Sequence, residues 1–135
     1  SDVYKRKVYT GELSIEGGAH PSRIFYTNTL NLNQMKDMGL NDFTDAYTMA
    51  GYVLSEDVRF PKLNAEETSA ALEYRSTQSM EALTAVFENA DFPLSGKETW
   101  PESFSYEKQG RIYFSLPVPH ALGDYVIVEF DPATK

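Results

Sequence analysis

The chain contains no cysteine. That absence removes a disulfide framework, a thiolate zinc site and a cysteine nucleophile together. Histidine is scarce: His20 and His120 are the only two, each beside a proline, and neither belongs to an HxxxH or HExxH pattern. Without those spacings, and without Cys, no zinc site is expected. The sequence has no G-x-S-x-G elbow, P-loop or G-x-G-x-x-G fingerprint. No metal or cofactor is therefore expected, and the chain reads as non-enzymatic. No apolar run approaches the roughly 18 residues that span a bilayer, and no signal peptide is read. The expectation is a soluble chain, cytoplasmic by slight preference.

Positive charge is also short. Twelve Lys and Arg face twenty Asp and Glu, a formal net charge of −8. Three of the twelve, Lys5, Arg6 and Lys7, lie together within the first seven residues, which hold one acid. The remainder therefore carries nine basic against nineteen acidic residues, a net of −10. Such a surface repels a phosphate backbone, so nucleic acid is not an expected ligand. An anionic membrane is disfavoured by the same sign. A protein partner with a basic surface is favoured.

What is present suits a folded domain. At 135 residues, with 41% hydrophobic and 24% charged content, the chain can bury a core without staples. No repeat or linker divides it, so residues 1–135 read as a single α+β domain. Residues 3–15 and 22–30 are rich in strand formers and flank the Gly17–Pro21 turn, which predicts a hairpin. The apolar phase of the first strand is broken, and Gly11 is read as a bulge that switches it. Leu32, Met35, Met38 and Leu40 suggest one or two helical turns ending at Gly39. Phe43, Ala46, Tyr47 and Ala50 suggest a short helix over 42–52. Asp37, Asp42 and Asp45 lack the glycine and closing glutamate of a calcium loop. Asp42 is read as an N-cap with Asp45 at the third helical position. Val58–Pro61 reads as a short strand or an extended link ended by Pro61.

The strongest pattern predicts one long helix over 65–90. Asn64 and Glu67 form a capping box. Leu72, Ser76, Ser79, Met80, Leu83, Val86, Phe87 and Ala90 fall on one stripe at 100° per residue. Further on, Ile112, Phe114 and Leu116 alternate with Arg111, Tyr113 and Ser115, and Val126, Val128 and Phe130 repeat the pattern after a Pro/Gly turn. The expected fold is an antiparallel sheet of about four to six strands packed against that long helix, with short helices between.

Candidate binding residues follow from charge. Arg75 is the only cation from 65 to 90. Glu66, Glu73 and Asp91 lie near one edge of the helix, and Glu81 and Glu88 lie opposite its apolar stripe. Tyr74 sits beside them. A helix held by its own ion pairs would mix Lys with Glu at i,i+4, and this one does not. Tyr113 and Tyr125 point away from the core phase of the final hairpin. Tyrosine suits contact surfaces because it buries a large area with few rotors. The leading expectation is a module that neutralises a basic protein, such as a stoichiometric inhibitor or toxin-immunity-type protein. Two alternatives stand beside it. One is a structural subunit of a homomeric assembly (a virion or surface filament), self-associating through the basic N-terminal strand. The other is a small hydrolase using scattered carboxylates with His20 or His120.

Overall fold

The computed structural model describes residues 2–14 and 22–134. Strands β1 (Tyr4–Leu13) and β2 (Ser22–Asn31) form an antiparallel hairpin, paired without interruption from Tyr4 opposite Asn31 to Leu13 opposite Ser22. Gly11 faces Ile24 in that regular register, so it is not a bulge. The broken phase has another cause: apart from Tyr4, every residue of β1 is exposed. A strand with no buried face is under no pressure to alternate. The helical turns expected near 32–39 are absent. The Asn31 side chain instead accepts the N–H groups of Asn33 and Gln34, at 2.9 and 3.1 Å. That turns the chain back into β3 (Lys36–Met38), which pairs with β2.

Helix α1 (Leu40–Phe43) and helix α2 (Ala46–Val53) follow. The two aspartates exchange the roles their spacing suggests, Asp42 standing at the third position of α1 and Asp45 at the N-cap of α2. Asp45 is the N-cap of α2, accepting the Thr48 N–H at 2.9 Å, and Asp42 closes α1 by accepting the Gly39 N–H at 2.8 Å. The expected single helix over 65–90 is two helices, α3 (Ala65–Arg75) and α4 (Met80–Glu88). The capping box at the start of α3 forms as its residues require, with reciprocal Asn64 and Glu67 bonds of 2.8 and 3.0 Å. The break lies in Ser76–Ser79. The Ser76 hydroxyl contacts the Leu72 and Glu73 carbonyls, Thr77 donates to the Tyr74 carbonyl, and Ser79 accepts the Ala82 N–H. These hydroxyls satisfy the last carbonyls of one helix and the first donors of the next, and so stabilise two ends where one helix would have none.

Strands β4 (Ser105–Lys108), β5 (Arg111–Pro117) and β6 (Tyr125–Phe130) form a second antiparallel sheet in that order. The described residues thus form two three-stranded sheets in place of one larger sheet. The inner face of β4–β6 carries Ile112, Phe114, Leu116, Val126, Val128 and Phe130. It packs on Leu40, Met49, Val53, Leu83 and Phe87 from the helices, forming the main core. Its outer face carries a second cluster in which Phe25 of the hairpin packs with Phe104 and Ile127. The layers run helices, second sheet, hairpin. Among the described residues no helix is long and apolar enough to cross a membrane.

Candidate functional site

Helices α3 and α4 carry the acidic side chains. Glu66 and Glu73 on α3, and Glu81 and Glu88 on α4, are all exposed. Among the described residues, the ion pairs involve none of these four. Arg75 does not neutralise them, because its guanidinium turns inward. One of its nitrogens donates to the Val53 carbonyl at 2.6 Å and to the Ser55 carbonyl, closing the C-terminal end of α2. Tyr74, read beside the glutamates, is half-buried against the main core.

Tyr113 and Tyr125 do lie on the outer face of the second sheet, as their alternation predicts, but the hairpin covers that face. Tyr113 stacks on Tyr106 with centroids 4.9 Å apart and planes 10° from parallel, and its hydroxyl donates to Glu129 at 3.1 Å. Burial raises its phenol pKa, and the Glu129 carboxylate adds to the shift. Tyr125 stacks on Phe25 at 5.1 Å, with the Arg23 guanidinium 4.6 Å above its ring. Both rings therefore have internal partners, and neither stands free as the alternation alone suggests.

Of the seven candidates, the fold brings two together. Glu66 and Tyr125 line a groove of about 730 Å³ between α3, the hairpin and the second sheet, together with Val8, Arg23, Phe25, Lys62 and Glu67. Glu73, Tyr74, Glu81, Glu88 and Tyr113 lie outside it. The groove mixes two cations and two carboxylates around an aromatic floor.

Asp91 is the residue that sequence spacing misplaces most. Read as part of the acidic edge, it is 4% exposed. Its carboxylate accepts the N–H groups of Leu40 and Ser105 and the Ser105 hydroxyl, each at 2.8 Å. It thereby ties the start of α1 to β4 just beyond the end of α4. The Lys97 ammonium closes that end by donating to the carbonyls of Asn89, Ala90 and Asp91. Burial raises the Asp91 carboxyl above its ordinary range, opposed by those hydrogen bonds and by Lys97. The available signal was Asp91-Phe92-Pro93: the chain reverses there, with Asp91 and Phe92 at φ of 66° and 55°. An acid at such a turn is placed to gather backbone donors.

His20 lies outside the described residues. His120 sits on the turn between β5 and β6, with Nδ1 2.8 Å from Asp124. Asp124 also accepts the Arg23 N–H at 2.7 Å, joining that turn to the hairpin. Partial burial pushes the Asp124 carboxyl up, but the Arg23 N–H and His120 outweigh it, so its pKa falls below the ordinary value. No group of three or more His, Asp or Glu that could hold a metal occurs among the described residues. No family model, curated protein or solved structure matches the chain.

Proposed function

We propose that the chain is a non-enzymatic protein-binding module whose α3–α4 surface engages a basic partner, in the manner of a stoichiometric inhibitor or toxin-immunity-type protein. One observation carries the reading. The four glutamates are exposed and unpaired by any described cation, while the only cation of that segment is turned inward onto backbone carbonyls. Exposed carboxylates cost the fold little, since solvent screens them. Their summed field steers a basic surface and raises its association rate. Glu88 in the last turn of α4 works against the helix dipole, so local stability does not account for its charge.

The test is capture from the organism that supplies the gene, with immobilised wild type and Glu81→Lys/Glu88→Lys side by side. The expected result is a basic protein held one-to-one by wild type and lost from the variant. Equal capture by both would count against the surface. The homomeric reading has one observation in its favour: β1 has a neighbour on one side only among the described residues. The hydrolase reading has weaker support, because His120 and Asp124 form a turn contact that fastens the hairpin.

A further inference from the structure

Among the described residues, the outer edge of β1 is long, regular and unpaired along its length. It runs ten residues with no proline and no bulge, and Val8, Tyr9 and Leu13 are 43%, 52% and 53% exposed. Exposed edges are templates for another strand, and proteins usually blunt them with charge, proline or bulges. Here charge guards only the Lys5–Lys7 end and Glu12.

The backbone phase can be read from one bond. The Val3 carbonyl accepts the Leu32 N–H at 2.7 Å. The N–H and C=O of one strand residue point to the same side, and successive residues alternate. Odd residues of β1 therefore bond to β2. The even residues Tyr4, Arg6, Val8, Thr10 and Glu12 direct their backbone groups outward.

Side-chain chemistry then selects the occupant. A two-fold axis perpendicular to the sheet keeps each face, so a self-paired β1 must place residues of the same parity opposite one another. Centring the axis on Arg6 or Lys7 sets like charges face to face. Centring it on Val8 leaves Glu12 opposite Tyr4 and Arg6 opposite Thr10. Centring it on Tyr9 places Arg6 opposite Glu12 at both ends, Val8 opposite Thr10, and Lys7 opposite Gly11. Both charged pairs then fall at residues whose backbone groups face the partner.

We propose that β1 pairs with β1 of a second copy, antiparallel about an axis at Tyr9, joining two three-stranded sheets into one of six strands. This rests on the homomeric reading above and gives it a surface and a register. The face carrying Val8 also lines the groove, so the added strand extends the sheet along the groove's edge.

The test is sedimentation of the full chain over a concentration series, with the variants designed from the phase. Wild type should reach twice the monomer mass at high concentration. Val8→Pro removes an outward N–H and leaves the β1–β2 ladder intact, so it should raise the dissociation constant tenfold or more. Arg6→Glu and Glu12→Arg should each be monomeric alone, since each sets like charges opposite at both ends. Mixed together they should form a heterodimer within about threefold of wild-type affinity, because both pairs are then opposite in sign. The mixing result stands even if Val8→Pro disturbs folding. A wild type that stays monomeric throughout overturns both the edge and the homomeric reading. A dimer indifferent to all three substitutions overturns the edge and leaves assembly through another surface.

Discussion

Asp91→Ala is expected to lower stability by about 3–5 kcal/mol, read as a fall in the urea midpoint. The substitution leaves two backbone N–H groups and a hydroxyl without their acceptor at a position that is 4% exposed. Each buried unsatisfied donor costs about 1–3 kcal/mol, and the carboxylate's bonds are charge-assisted. The loss should also uncouple elements, because the same carboxylate holds α1 and β4 together. A change below about 1 kcal/mol would show that the junction contributes nothing beyond its space.

The same group gives a pH signature with an unusual sign. Its folded pKa is raised, chiefly by burial, above the ordinary 3.8. The folded state therefore holds the proton more tightly than the unfolded state. The resulting stability is fully present below pH 3.8, is lost as pH rises through the raised value, and stays lost above it. Asp91→Asn has no such titration. The stability gap between wild type and Asp91→Asn should therefore narrow from pH 4 toward pH 7, and a gap that widens with pH would contradict the assignment.

Phe114→Ala is expected to cost about 3–5 kcal/mol, the range for emptying a fully buried aromatic site. Phe114 is 0% exposed at the centre of β5. Its ring meets Phe87 of α4 edge-to-face, with centroids 5.0 Å apart and planes at 78°. Removing it opens a cavity between the second sheet and the helical layer and forfeits the ring pair. For a domain of this size the melting temperature should fall by about 10–20 °C. Tyr47→Ala is the control, since that ring is 65% exposed and its loss should stay within about 0.5 kcal/mol. Equal effects at the two positions would mean that the core is misplaced.

The contrast between those positions shows what was legible in the residues. Ile112, Phe114 and Leu116, and then Val126, Val128 and Phe130, alternate because one face of each strand meets the helices. Alternation says which face is the core, not what covers the other. Alternation alone leaves Tyr113 and Tyr125 available, whereas Phe25 of the hairpin stacks on Tyr125 and Tyr106 of β4 stacks on Tyr113. The Asn64–Glu67 box was readable because both partners lie three residues apart, and a local bond needs no knowledge of the fold. Ser76 and Ser79, two small hydroxyls on an apolar stripe, were the mark of the helix break. Periodicity counted them as neutral members of the stripe, where their hydrogen bonds end one helix and start the next. β1 has no readable phase because every residue after Tyr4 is exposed. Asp91 is misplaced by helical spacing because α4 ends at Glu88, before it.

The acidic surface is narrower than helical spacing alone suggests. Asp91 leaves it for the interior and Tyr74 is half-buried, while Glu66, Glu73, Glu81 and Glu88 remain exposed. The most direct measurement is the association rate of the captured basic partner with wild type and with Glu81→Lys/Glu88→Lys, at about 20 mM and about 300 mM salt. The Debye length shrinks from roughly 20 Å to roughly 6 Å between those conditions. Steering by α3–α4 predicts a rate at least tenfold slower for the variant at low salt, with the two rates converging at high salt. Equal rates at low salt would contradict it.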